Sequence, residues 1–132
     1  MSVQDPIAHL LTKVRNATMA RHRYVDVARS KMSVAIISLM DRHGFIQRWI
    51  MRDEENGKGT IRVFLKYDRR KPLIRGLRRH SSPGRRQYVG FREIPSIQGN
   101  LGIAIVSTSK GVLERSEARR QRLGGELLCS VW

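Results

Sequence analysis

The 132-residue, 15.2 kDa chain carries 26 Lys+Arg against 11 Asp+Glu, a formal charge of +15 and a pI near 11.4, with 40% hydrophobic residues. That apolar fraction supports a folded core and excludes a disordered tail, while the excess of cations makes a polyanion the natural partner. One cysteine, Cys129, excludes a disulfide framework and points to a reducing compartment, and no apolar run approaches the roughly 18–20 residues of a membrane span.

In chain order, the first expected element is a helix. Asp5 stands at its N-cap and Pro6 at its first position, where a missing N–H costs nothing. Ile7, Leu10, Leu11 and Val14 then follow at helical spacing. The opening residues through Pro6 lack the basic-then-apolar layout of a signal peptide. Tyr24–Val27 reads as a short strand. Ser30 caps a second helix with Met32, Ala35, Ile36, Leu39 and Met40 facing inward and Gly44 as its stop. A hairpin follows, made of Phe45–Arg52, a turn at Asn56-Gly57, and Thr60–Tyr67.

Asp68–Pro72 is polar and ends on proline, which marks a boundary and gives an N-terminal α/β domain over residues 1–68. Residues 69–132 then read as a β-rich domain. Strands are expected at Leu73–Arg79 and Gln87–Val89, either side of a turn at Ser81–Gly84. Leu101–Ser107 is a buried strand, Ser116–Leu123 a short helix ended by Gly124-Gly125, and Glu126–Trp132 a closing strand. The expected fold class is α+β: two small domains, an α-β-α-β-β unit packed against a mostly β unit with one short helix. Halves of this size are marginal alone and lean on each other or on a partner.

The charge is concentrated. From Arg69 to Arg92 there are nine basic residues and no acid, and over the whole chain Arg outnumbers Lys by 20 to 6. Guanidinium forks match phosphates and stack on bases, so the bias favours nucleic acid over a merely solvated basic face. Enzymatic features are missing. One Cys and four scattered His (His9, His22, His43, His80) offer no zinc spacing, no glycine-rich phosphate cradle is present, and Ser107 has no histidine in its half except His80. No catalytic residue, metal or cofactor is expected. Cys129, alternating with Leu127 and Val131, reads as a core residue on their strand face.

The most informative short stretch is Ser107-Thr108-Ser109-Lys110-Gly111, three hydroxyls and a cation directly after a buried strand. Such a loop suits base edges, sugars and phosphates, but composition alone favours a solvent turn whose hydroxyls bond their own backbone. Together with Gly124-Gly125-Glu126-Leu127-Leu128-Cys129 and Val131-Trp132, this stretch resembles the C-terminal signature of the small-subunit ribosomal protein eight family, bacterial type. The resemblance runs the whole chain, through Asp5-Pro6-Ile7, Arg15-Asn16-Ala17, Ser30-Lys31-Met32, Gly44-Phe45-Ile46, Ser82-Pro83-Gly84-Arg85-Arg86, Tyr88 and Ile94-Pro95.

What the resemblance implies is a cytoplasmic, non-enzymatic protein that binds the central domain of small-subunit rRNA directly, chiefly through residues 69–132 as its RNA-binding domain, and helps assemble the platform. Ser107, Thr108 and Ser109 would lie against an unstacked base and nearby backbone, and Lys110, Arg85 and Arg86 would meet phosphates. Ser30, Lys31, Arg15 and Asn16 would touch further rRNA. Glu126 would brace the contact, through the hydroxyl loop or the Gly124-Gly125 backbone, in preference to reading a base itself. For Tyr88 a partly buried packing role is favoured over free base stacking. Ribosomal proteins five and twelve would be neighbours, and in some bacteria the family represses its own messenger. The alternatives are a free RNA-binding regulator and, more remotely, an RNA-processing enzyme using Ser107 or His80.

The chain departs from the family pattern at three places. Glu114-Arg115 stands for Thr-Asp, so the capping residue is missing and the short helix is expected to start at Ser116. Gly99-Asn100 reverses the usual order, and Ala28 replaces a common proline, loosening the entry to the second helix.

Overall fold

The first helix, α1 (Pro6–Met19), starts where the sequence places it: the Asp5 carboxylate accepts from the Ala8 N–H at 3.2 Å, and Ile7, Leu10, Leu11 and Val14 are buried. The computed structural model describes residues 5–53, 55 and 57–132; Asn56 of the predicted turn and the first four residues of the leader reading lie outside these. Strand β1 (Tyr24–Ala28) leads into α2 (Lys31–Arg42). Ser30 caps α2 reciprocally with Ser33, and the Ser33 hydroxyl also donates to the Ala28 carbonyl at 2.9 Å, tying the entry to the helix without the family's proline. The inward stripe is Ser33, Ile36, Ile37, Leu39 and Met40; Met32 and Ala35 are only half-buried because Ile37 takes the core side.

Strands β2 (Ile46–Asp53) and β3 (Gly59–Leu65) form the predicted hairpin, and the antiparallel order of this first sheet is β1-β3-β2. The boundary stretch folds as a miniature hairpin, β4 (Tyr67–Asp68) and β5 (Lys71–Pro72), with Arg69 and Arg70 both at positive φ. The predicted strand Leu73–Arg79 shrinks to β6 (Leu77–Arg79). Its first half cannot join a ladder, because the Arg75 and Gly76 N–H groups are both held by the terminal Trp132 carbonyl.

The second sheet adds β7 (Tyr88–Val89), β8 (Ile103–Thr108), β9 (Gly111–Glu114) and β10 (Gly125–Val131). Its order is β6-β10-β8-β9, with β7 paired to the start of β10 on the edge that β6 occupies further along. Leu101, expected to start β8, is 84% exposed; it follows a turn in which Gln98, Gly99 and Asn100 are all left-handed, and Asn100 Oδ1 accepts from Ser96 Oγ at 2.7 Å.

Helix α3 (Arg115–Arg120) corrects another expectation. It does not start at Ser116: the Glu114 carboxylate folds back and accepts from the Glu117 N–H at 3.1 Å, so Glu114 is the cap. Glu is a poor cap when its long side chain is free, but Glu114 is only 9% exposed, and burial confines it to the capping geometry.

Two apolar clusters hold the molecule together. The larger runs from α1, α2 and the first sheet through Ile74 and Leu77 to Ile103, Ile105, Leu128, Cys129 and Val131, drawing on both sides of Asp68. The smaller comprises Ile94, Ala104, Val106, Ala118 and Leu127. Leu127 therefore does not share a face with Cys129 and Val131. The register slips between Leu127 and Cys129, where β10 pairs with Val106 and Ile105. The extra residue, Leu128, is a β-bulge that reverses the alternation at that point. Cys129 is fully buried, and burial pushes its thiol up to about 12, which leaves it inert.

Candidate nucleic-acid interface

Strand register brings together three residues that lie far apart in the sequence. Glu126 on β10 pairs with Tyr88 on one side and Ser107 on the other, so the three side chains stand in a row on one sheet face. Alternation along β8 puts Ser107 on the face of Ile103 and Ile105, just beyond the edge of the large core. The row can form because Gly125 lets β10 approach β8 closely: a Cβ there would collide with the Ser107 carbonyl oxygen.

Glu126 bonds neither the hydroxyl loop nor the Gly124-Gly125 backbone. Its Oε2 accepts from the buried Ser81 hydroxyl at 2.5 Å and from Arg86 Nη1 at 2.9 Å. Ser81 in turn accepts from the Gln87 N–H, which fixes the chain entering β7. Burial raises the Glu126 pKa, but the Ser81 and Arg86 hydrogen bonds and the charges of Arg86 and Arg79 outweigh it, leaving the carboxyl below its ordinary value of 4.5. A carboxyl depressed by folding stabilises fully above its unfolded pKa and loses that stabilisation as pH falls through the folded value. We therefore expect the unfolding free energy to fall on acidification from about pH 5 toward pH 3, and Glu126→Gln to flatten that fall, as checked by chemical denaturation across the window.

Tyr88 is not packed away. Lying on a two-residue edge strand that only β10 flanks, its ring is 70% exposed, free on the surface beside Glu126. The hydroxyls divide into two kinds. Thr108 Oγ1 donates to the Gly111 carbonyl at 2.7 Å and accepts from the Lys110 N–H at 3.2 Å, closing the tight β8–β9 turn that Gly111 completes at φ +110°. The Ser107 and Ser109 hydroxyls have no protein partner among the described residues, and Ser109 and Lys110 are exposed at the tip.

Beside the row lies an electropositive cleft of about 410 Å3 lined by Arg78, Arg79, His80, Arg85, Arg86 and Gln87. Two of its guanidiniums are already engaged. Arg86 binds Glu126, and Arg79 binds Asp5 at 3.0 Å and the Leu128 carbonyl at 2.6 Å, joining the cap of α1 to the second sheet. Arg78 and Arg85 remain exposed and unpaired among the described residues. His80 Nε2 sits 3.0 Å from Ser130 Oγ; burial and the charges of Arg78 and Arg79 lower its pKa, keeping it neutral. Sequence reading missed Ser81, because a serine in a turn carries no signal of its own; it counted Arg78 only within the basic run and weighed His80 only as a catalytic alternative.

The N-terminal candidates lie apart from this row. Arg15 Nη2 donates to the Leu77 carbonyl at 2.6 Å, clipping α1 to β6. Asn16 is exposed on α1, the Ser30 hydroxyl is used as the cap, and Lys31 is exposed at the start of α2. Among the described residues no group of His, Cys, Asp or Glu could hold a metal ion, and no helix is long and apolar enough to cross a membrane.

A profile of the family described as Ribosomal protein S8 matches residues 5–132. The chain belongs to the ribosomal protein S8 family. It is 50% identical over 133 residues, covering all of both chains, to the small ribosomal subunit protein uS8 of Protochlamydia amoebophila (strain UWE25). It is 52% identical to the protein of that name from Chlamydia felis (strain Fe/C-56) and 53% to that from Chlamydia pneumoniae, each over 129 residues, 97% of this chain and 96% of the relative. As an S8-family member it is a structural, non-enzymatic ribosomal protein of the cytoplasm, which removes the RNA-processing alternative.

Proposed function

We propose that this S8-family chain binds the central domain of small-subunit rRNA directly, as an early step in building the platform of the subunit. The supporting observation is the row Tyr88–Glu126–Ser107: an exposed ring and an unpartnered hydroxyl either side of a carboxylate held by buried Ser81 and exposed Arg86, at the edge of a basic cleft. Duplex RNA hides its bases in a deep, narrow groove, so a site of short neutral donors and a free ring fits an irregular helix with splayed nucleotides. Ser107 and Ser109 read the base and its sugar; Tyr88 stacks or packs beside it; Lys110, Arg78 and Arg85 meet the flanking phosphates. Arg86 serves through Glu126, as Thr108 serves through its turn. Ser30, Lys31, Arg15 and Asn16 face rRNA outside this contact, with Lys31 and Asn16 offering the free groups. Ribosomal proteins five and twelve are the proposed neighbours, and a messenger helix of the same shape would meet the same surface.

Footprinting the purified chain on small-subunit rRNA tests this reading. Protections confined to one irregular helix of the central domain are expected; protections spread over regular duplex would refute it. The phosphate assignment has its own check. Arg85→Ala should make the dependence of log affinity on log salt shallower by about 0.7, using the single-strand value for one contact. An unchanged slope would assign Arg85 to solvent.

A further inference from the structure

The first sheet has one face under α1 and α2 and the other bare among the described residues. Register puts Tyr24, Asp26 and Ala28 of β1, Thr60, Arg62 and Phe64 of β3, and Arg48, Ile50 and Arg52 of β2 on the bare side. It is organised as two flat plates. The Arg62 guanidinium lies 4.0 Å above the centre of the Tyr24 ring, and the Arg48 guanidinium 4.1 Å above that of Phe64. The two rings are 5.9 Å apart and tilted by 52°.

These plates differ in how they are held. Arg62 is fixed by Asp26 through two hydrogen bonds, of 2.9 and 3.1 Å, so its charge is answered while its plane stays in place. No carboxylate among the described residues pairs with Arg48, and its charge is unanswered. A guanidinium is weakly hydrated above and below its plane, and bases stack on such planes as they do on aromatic rings. The face carries too few free cations to track a duplex. It also offers no continuous apolar patch for a protein, since each ring lies under a cation and Ile50 is the one large aliphatic side chain on it. Flat cationic plates at the spacing of neighbouring strands fit unpaired nucleotides.

We propose that the bare face of the first sheet is a second RNA site, a stacking platform for a short single-stranded segment, independent of the row on the second sheet. The proposal rests on the RNA-binding reading above, and its test separates the two. Binding of a short fluorescein-labelled oligoadenylate and of an irregular central-domain rRNA helix is measured on the full chain. Tyr24→Leu removes one ring under a plate, and Arg48→Met removes the other plate while keeping its stem; both positions face solvent, and thermal unfolding reports whether each variant folds. Each variant should bind oligoadenylate about tenfold more weakly and the irregular helix as wild type does. Ser107→Ala with Ser109→Ala should do the reverse. Unchanged oligoadenylate binding in a folded Arg48→Met variant overturns the platform, whatever Tyr24→Leu does, and leaves the central-domain reading standing. Displacement of oligoadenylate by an equal concentration of oligoglutamate also overturns it, because the face would then be a general site for acidic protein. A chain that binds neither RNA overturns both.

Discussion

Alanine at both Ser107 and Ser109 should abolish most of the preference for an irregular helix over a fully paired control of the same length. The two hydroxyls are neutral, so long-range attraction to RNA persists, carried by a chain of charge +15. Each neutral contact is worth roughly 0.5–1.5 kcal/mol, so losing two lowers specific affinity by about ten- to a hundredfold. The salt dependence should barely move, since no cation has been removed. This is the opposite signature to that of Arg85→Ala, and competition binding at two salt concentrations distinguishes them. The structure sharpens the choice of positions. Thr108 is a poor probe, because its hydroxyl closes the turn and its removal would loosen the loop. A double variant that keeps its preference would make the loop a solvent turn and move the readout elsewhere along the row.

The second large effect is expected at Gly125. An alanine methyl there meets the Ser107 carbonyl oxygen, a backbone atom held in the β8–β10 ladder, so relief requires the strands to separate. Overpacking of this kind costs about 3 kcal/mol. Gly125→Ala should therefore lower the denaturant midpoint markedly, and selectivity for the irregular helix should fall with it, because Ser107 moves. Stability at the wild-type level would show that the sheet opens at this point without cost.

Local chemistry was legible in the sequence wherever neighbours in the chain decide the outcome. Asp5-Pro6 and the stripe from Ile7 to Val14 define α1, and Ser30 with Gly44 brackets α2, because caps and helical spacing act within a few residues. Glu114 was misread since cap preference describes a free side chain, whereas burial at the end of β9 restricts this one to a single useful conformation. The candidate site was legible as a set of residues but not as an arrangement. Ser107, Glu126 and Tyr88 could be named from motifs; their alignment depends on the register of three strands, which no local pattern specifies. The partner of Glu126 was out of reach for the same reason, as Ser81 lies 45 residues away and Arg86 lies 40. The packing role expected of Tyr88 fails because its exposure follows from an edge position that only the topology reveals.

The bulge at Leu128 divides β10 into two stretches with different surroundings. Beyond it, Cys129 and Val131 drop into the large core, where only volume-conserving substitutions are well tolerated. Before it, Glu126 stands on that same face because Leu128 is bulged out of the ladder; were Leu128 paired in an unbroken strand, Leu127 would take its place. Deletion of Leu128 alone would leave a regular ladder in which Glu126 still faces Ser107 and Cys129 still faces Ile105. One strand in this way keeps a hydrogen-bonded surface carboxylate and a packed core on the same face, with a single unpaired residue between them.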